Sequence, residues 1–113
     1  MKNEITIEQL NSLVQEYIAL EQNEMENSTE WAYAVLEPAL LISETVTLNF
    51  LRQVERIAFE AIAYCFESII IKFQSAAILR EIEELYEKFY GSDENTDFYL
   101  DNIKGLKNCI KEL

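Results

Sequence analysis

Glu60 and Glu67 are the acidic side chains of this sequence whose spacing best suits joint acid–base chemistry. They lie seven residues apart, close to two helical turns, so one helix would carry both on the same face. Two such carboxylates could serve as general acid and general base. Arg56, however, precedes Glu60 by four residues, the spacing of an exposed ion pair. We therefore interpret both glutamates as the solvent-facing stripe of a helix.

Other catalytic and metal-binding arrangements find little support in the sequence. The chain has no histidine, which excludes histidine-containing nucleophile triads, Glu-x-x-His di-iron sites and zinc protease motifs. No glycine-rich phosphate-binding loop is present. The acidic stretch at residues 91–97 offers oxygen ligands but lacks the spacing of an EF-hand. We expect no enzymatic activity, no cofactor and no bound metal ion.

The two cysteines and the N-terminal residues indicate the compartment. Cys65 and Cys109 are too few for a disulfide scaffold, and we expect free thiols in a reducing environment. Residues 1–10 contain no apolar core, which argues against a signal peptide. Glu60 and Glu67 interrupt the most apolar stretch, which argues against a membrane span. We therefore expect a cytoplasmic protein.

The elements that position these residues are predicted to be helices. Half of the 113 residues are hydrophobic, only two are glycine and one is proline, and no strand-like alternation is sustained. Residues 49–79 are mostly apolar, and one narrow polar stripe is formed by Gln53, Arg56, Glu60, Glu67 and Gln74. We predict an all-α fold: a compact antiparallel bundle of four to five helices around a central hydrophobic helix (about residues 48–74). The bundle forms a single domain over residues 1–113.

Several boundaries follow from short-range signals. Thr6 with Gln9 forms a capping box for the first helix. Pro38 predicts a kink or a short break in the second helix. An unbroken helix over residues 47–90 would be about 66 Å long, too long for a small domain. We therefore place a turn at residues 74–77, with Ser75 as the cap; the alternative is a continuous rod that dimerises. Gly91 predicts the end of the next helix.

Charge is the strongest functional signal. The chain carries 21 acidic and nine basic residues, a net charge of −12, and residues 1–51 alone hold nine glutamates and one lysine. Such a surface repels nucleic acids and anionic membranes and attracts basic proteins. We expect a basic protein partner, without direct nucleic-acid or membrane binding. The alternative is that the acidity serves only solubility.

Two groups of residues are predicted to contact the partner. In the first, glutamates surround a linker and recur every seven residues from Glu30, beside Tyr33 as an aromatic anchor. Trp31 is expected in the core. The first group is Glu21, Glu24, Glu26, Glu30, Tyr33, Glu37 and Glu44, and the second is Asp93, Glu94, Asp97 and Asp101.

These features predict a protein-binding inhibitor rather than an enzyme. An acidic helical protein of this size suits the basic cleft of a nuclease, as an immunity protein or antitoxin that neutralises a nuclease-type toxin does. A phage-type inhibitor that imitates nucleic acid, of the anti-restriction or anti-CRISPR kind, is an alternative. A self-associating structural or regulatory bundle, with a homodimer, is another. The sequence contains no motif that decides among them.

Overall fold

The structure is a computed structural model that describes residues 4–24, 26–91 and 97–111, with side chains from Tyr99 onward in the last range. Within these ranges the regular structure is helical throughout and no β-strand occurs. The all-α prediction is confirmed. The chain separates into two units, Met1–Cys65 (unit 1) and Phe66–Leu113 (unit 2).

Unit 1 is built from short helices that pack on its first helix. Its elements in chain order are α1 (Ile7–Gln22), α2 (Ser28–Trp31), a π turn (Ala32–Leu36), α3 (Glu37–Leu40), α4 (Glu44–Arg52), α5 (Arg56–Ile62) and a 3-10 turn (Ala63–Cys65). The predicted capping box starts α1: the Gln9 N–H donates to Thr6 Oγ1 at 3.1 Å and the Thr6 N–H donates to Gln9 Oε1 at 2.9 Å. Helix α1 contacts α2, the π turn, α4 and α5. The element around which unit 1 is organised is therefore α1.

The predicted central helix over residues 48–74 is wrong as a continuous element. Helix α4 ends at Arg52, α5 begins at Arg56, and Glu55 between them is extended. The last turn of α4 tightens, with the Val54 N–H donating to the Leu51 carbonyl at 3.3 Å. The break leaves Val54 buried between exposed Gln53 and Glu55. The helical pattern of residues 48–74 contains no glycine or proline at which a break could be predicted. Tertiary packing therefore determines where the helix ends.

The short break predicted at Pro38 does not occur: the helix runs through Ser28–Leu40 and changes its winding before the proline. The alternative, a kink, stays a prediction. Proline has no N–H, and its ring crowds the carbonyl group four residues earlier, that of Ala34. Just before the proline, the Glu37 N–H donates to the Ala32 carbonyl, one residue further back than in an α-helix. The π turn thus lies immediately before the proline, within a helix that continues to Leu40.

A sharp corner follows that helix. Ser43 caps α4 by accepting a hydrogen bond from the Val46 N–H at 3.2 Å. The helix axes on either side of the corner differ in direction by 105°. Buried Thr47 donates its hydroxyl to the Leu40 carbonyl at 2.7 Å, satisfying an acceptor at the end of α3.

Unit 2 contains α6 (Phe66–Phe73), α7 (Ala76–Tyr90) and α8 (Asp97–Lys107), and α8 contacts both of the others. The turn predicted at residues 74–77 is confirmed, because Ser75 caps α7 and accepts a hydrogen bond from the Ile78 N–H at 3.1 Å. The helix end at Gly91 is also confirmed, for a different reason. Gly91 has a φ of −60°, so no left-handed residue is needed. A Cβ atom there would instead collide with the Glu87 carbonyl oxygen.

Gln74 ties the end of α8 to the turn between α6 and α7. Its side-chain amide donates to the Cys109 carbonyl at 2.8 Å and accepts from the Lys111 N–H at 2.9 Å. Gln74 itself has a φ of 49°, in the left-handed region. One side chain thereby satisfies two backbone groups at the end of the described chain.

Among the described residues, no individual helix combines the length and the apolar character that crossing a bilayer requires. Ser28–Leu40 and Glu44–Arg52 reach that length and apolar character only as a pair, and the pair is bent by 105°.

Candidate functional site

Two of the predicted partner-binding residues, Glu21 and Tyr33, line the same open groove in unit 1. The groove has a volume of about 520 Å³. Its lining consists of Tyr17, Ile18, Glu21, Gln22, Thr29, Ala32, Tyr33, Ile57, Glu60, Ala61 and Tyr64. We call this feature the tyrosine groove.

Helical spacing explains how α1 and α5 contribute to the tyrosine groove. Tyr17 and Glu21 on α1 lie four residues apart and therefore share a face. Ile57 and Glu60 on α5 lie three residues apart and do the same. The π turn contributes Tyr33, which is 56% exposed. Turns of this type are frequent at functional sites.

Three tyrosine rings form the aromatic part of the groove. The Tyr64 ring centroid lies 5.1 Å from that of Tyr33, in an edge-to-face arrangement, and 5.9 Å from that of Tyr17. Tyr17 also stacks on Trp31, with centroids 6.5 Å apart. Trp31 is half-buried and not a core residue as predicted, and it does not line the groove.

The Tyr64 hydroxyl is buried and has no hydrogen-bond partner of acceptable geometry. Burial is the main reason that the pKa of Tyr64 is raised, and the neighbouring Cys65 thiol adds to the effect. Burial also raises the pKa of Cys65 to about 12, so this thiol is not a reactive thiolate at neutral pH. The ring of Tyr64 is thus available to the groove, whereas its hydroxyl is not.

Two carboxylates add negative charge to the tyrosine groove. Glu21 accepts a hydrogen bond from the buried Ser28 hydroxyl at 3.2 Å, which fixes its position. Exposed Glu60 lies 4.0 Å from Arg56, the pair predicted from the sequence, and both side chains are about half exposed. No basic side chain is among the described residues that line the groove.

The other five glutamates of the first predicted group do not line the groove. Glu24 and Glu26 line a separate, smaller depression beside Trp31. Glu30 is exposed in the first turn of α2, and half-buried Glu37 lies in α3. The structure therefore does not gather the group at one place.

The predicted seven-residue acidic stripe is wrong. It requires Glu30, Glu37 and Glu44 to lie on one near-regular helix. The π turn between the first two changes the helical phase, and Glu44 lies in α4, beyond the 105° corner. The repeat in sequence has no matching repeat in space.

The second predicted group belongs to unit 2. Asp93 and Glu94 lie outside the described residues. Asp97 is the first residue of α8, and its side chain is not among those described. Asp101 is exposed on α8. A partner contact through this group stays a prediction.

Glu60 and Glu67, the candidate acid–base pair, are both exposed, as the solvent-facing interpretation requires. Glu60 belongs to unit 1 and Glu67 to unit 2. Within the described part of the chain, no group of three or more cysteine or acidic side chains is arranged to hold a metal ion.

Sequence reasoning missed most of the lining, including the aromatic residues Tyr17 and Tyr64 and the exposed Ile57. Tyr17 and Tyr64 have the helical spacing of apolar core residues, and Ile57 belongs to the apolar stretch of residues 49–79. Ile57 is in fact 61% exposed. The only sequence signal for the site was a cluster of glutamates near tyrosines, which identified Glu21 and Tyr33.

Comparison with known proteins identifies no relative: no family model, curated protein or solved structure matches the chain.

Because the pKa of Tyr17 is raised, we expect the free energy of unfolding to fall at alkaline pH. Burial, with a smaller contribution from Glu21, raises the pKa of Tyr17 from 10.0 to about 12. Between these values the unfolded chain loses the proton first, so the stabilisation present below about pH 10 is lost as pH rises towards 12. We expect Tyr17→Phe to flatten this decline in urea unfolding between about pH 9 and about pH 11. Tyr33→Phe, at an exposed ring, is the control, and an unchanged decline in Tyr17→Phe would contradict the assignment.

Proposed function

We propose that the chain is a protein-binding inhibitor that docks unit 1 on a basic surface of a partner protein. The partner class that fits best is a nuclease-type toxin, and the chain would be its cytoplasmic immunity protein or antitoxin. The arrangement of the helices as an antiparallel bundle in a single domain is part of this proposal.

The tyrosine groove is the observation that carries the proposal. Protein interfaces combine a few large aromatic anchors with a complementary charge field. The groove presents Tyr33 at 56% exposure and Ile57 at 61% exposure. Glu21 and Glu60 lie in the same lining. An exposed aromatic and aliphatic surface between carboxylates suits a protein surface that is both basic and partly apolar.

The charge of unit 1 supports the same partner. Residues 1–65 carry eleven acidic and three basic side chains, a formal net charge of −8. A field of this sign accelerates encounter with a cationic surface and opposes binding to nucleic acid. Nuclease clefts are basic because they bind phosphates, and covering such a cleft excludes the substrate.

The proposal is tested with the product of the neighbouring open reading frame. The two proteins are co-expressed, purified together and examined by calorimetry at about 50 mM and about 200 mM salt. We expect a stoichiometric complex that remains associated at the higher salt. The nuclease activity of the partner should be inhibited in that complex. Loss of the complex at moderate salt, or a tight and salt-insensitive homodimer in its place, would overturn the proposal. If the chain inhibits a restriction or CRISPR nuclease instead, it belongs to the phage-type inhibitors that imitate nucleic acid.

A matched pair of charge reversals locates the docking surface. Glu60→Lys and Glu16→Lys make the same change at exposed glutamates of unit 1, but only Glu60 lines the groove. We expect Glu60→Lys to weaken the complex at least about tenfold, equivalent to about 1.4 kcal/mol. Glu16→Lys should change only the salt-dependent association rate. Equal losses in the two variants would show that bulk charge, and not the groove, determines binding.

A further inference from the structure

We propose that the tyrosine groove receives a single arginine side chain of the partner, with its guanidinium group on the tyrosine rings and between the two carboxylates. This inference rests on the proposed function, since it names the group by which a basic partner is anchored. It does not depend on which basic protein that partner is.

The lining selects for a cation with an aliphatic stem. The lining contains three tyrosine rings, and aromatic rings attract cations through their electron-rich faces. Exposed Ile57 offers apolar surface to the methylene groups of a long side chain. Glu21 and Glu60 provide acceptors; Glu60 would exchange its exposed contact with Arg56, at 4.0 Å, for the arginine of the partner. An anion would be repelled, and a neutral side chain would desolvate both carboxylates without compensation.

Arginine fits these features better than lysine. Its planar guanidinium group stacks on aromatic rings, is weakly hydrated and donates several hydrogen bonds at once. Tyr64 is held between Tyr17 and Tyr33 at centroid distances of 5.9 Å and 5.1 Å, so the ring surface is already ordered. Glu21 is fixed by Ser28 at 3.2 Å. A preorganised site of this kind favours the more rigid cation, because little conformational freedom is lost on binding.

The test uses three blocked pentapeptides, each with one central residue flanked by glycines. The central residue is arginine, lysine or citrulline, which keeps the shape of arginine but has no charge. Each peptide is titrated into the full-length chain, and binding is followed by amide and aromatic NMR shifts. For arginine we expect a dissociation constant on the order of 1 mM, with shifts confined to the groove. Lysine should bind at least threefold more weakly and citrulline not at all.

Variants separate the contributions of the groove residues. Tyr33→Ala and Glu60→Gln should each reduce arginine binding several-fold, and both replace exposed side chains. Glu16→Gln makes the same change as Glu60→Gln at an exposed glutamate of α1 that does not line the groove. It should bind the arginine peptide as the native chain does. An equal loss of binding in Glu16→Gln and Glu60→Gln would contradict the arginine site.

The outcomes distinguish the inference from the proposed function. No arginine binding, equal binding of lysine, or binding of citrulline would overturn the arginine site. A toxin complex that forms although the peptide does not bind would leave the proposed function standing and remove only this inference. If arginine binds in the groove but no complex forms with the neighbouring protein, the arginine site stands and the proposed function is overturned.

Discussion

Replacing Ile62 with alanine is expected to lower the free energy of unfolding by about 2–5 kcal/mol. The same replacement at Ile57 is expected to change it by no more than about 0.5 kcal/mol. Both isoleucines lie in α5. Ile62 is 0% exposed, so alanine would leave a cavity and lose apolar burial, whereas Ile57 is 61% exposed and most of its side chain already faces water.

Urea unfolding followed by circular dichroism measures both variants. Because the residue types and the helix are the same, differences in helix propensity cancel in the comparison. A large loss of stability in Ile57→Ala would mean that this side chain is buried in solution and that the tyrosine groove is closed. If the groove is open, Ile57→Ala should instead weaken partner binding while leaving the unfolding curve nearly unchanged.

Loss of the Gln74 side chain is expected to destabilise unit 2 by about 1–3 kcal/mol in Gln74→Ala. Two hydrogen bonds to the backbone of Cys109 and Lys111 disappear, and both groups belong to the chain end after α8. Gln74→Gly loses the same bonds but suits the φ of 49° better than alanine does. It should therefore be less destabilising than Gln74→Ala, by roughly 1 kcal/mol.

Hydrogen exchange provides the local measurement. The Lys111 amide should lose its protection in both Gln74 variants, because its acceptor is removed. Gln53→Ala, at another exposed glutamine, is the control and should leave this amide unchanged. If the Lys111 amide remains protected in Gln74→Ala, the hydrogen bond from the Lys111 N–H to the Gln74 side chain is contradicted. Identical stabilities of the alanine and glycine variants would contradict the left-handed conformation at Gln74.

The features that could be predicted from the sequence are those determined by neighbouring residues. The Thr6–Gln9 capping box and the Ser75 cap each depend on hydrogen bonds across three residues, and both occur as predicted. The all-α class could be predicted from composition and pattern. The chain has two glycines, one proline and no sustained strand-like alternation, which disfavours β-structure.

The features that could not be predicted are those determined by tertiary packing. Nothing near Gln53 marks the end of α4, and only the packing of the fold explains why Val54 is buried while Ile57 is exposed. A helical wheel drawn through residues 48–74 assumes one axis and one phase. The break between α4 and α5 invalidates both assumptions.

The candidate site was predicted in part for the same reason. Glu21 and Tyr33 were recognisable as a charge and an aromatic ring near an acidic linker. Tyr17 and Tyr64 have the spacing of core residues, and tyrosine is used in both settings because one end is apolar and the other polar. Only the packing of α1 against α5 shows that their rings line an open groove.

The π turn at Ala32–Leu36 has a consequence for how the length of this helix can change. A π turn amounts to one extra residue accommodated within an otherwise regular helix. Deleting one residue there would restore ordinary winding and leave the flanking segments, including buried Leu40, facing as they do now. The same deletion in α1 would rotate everything beyond it by about 100°. Homologues shorter by one residue at this place would keep the fold.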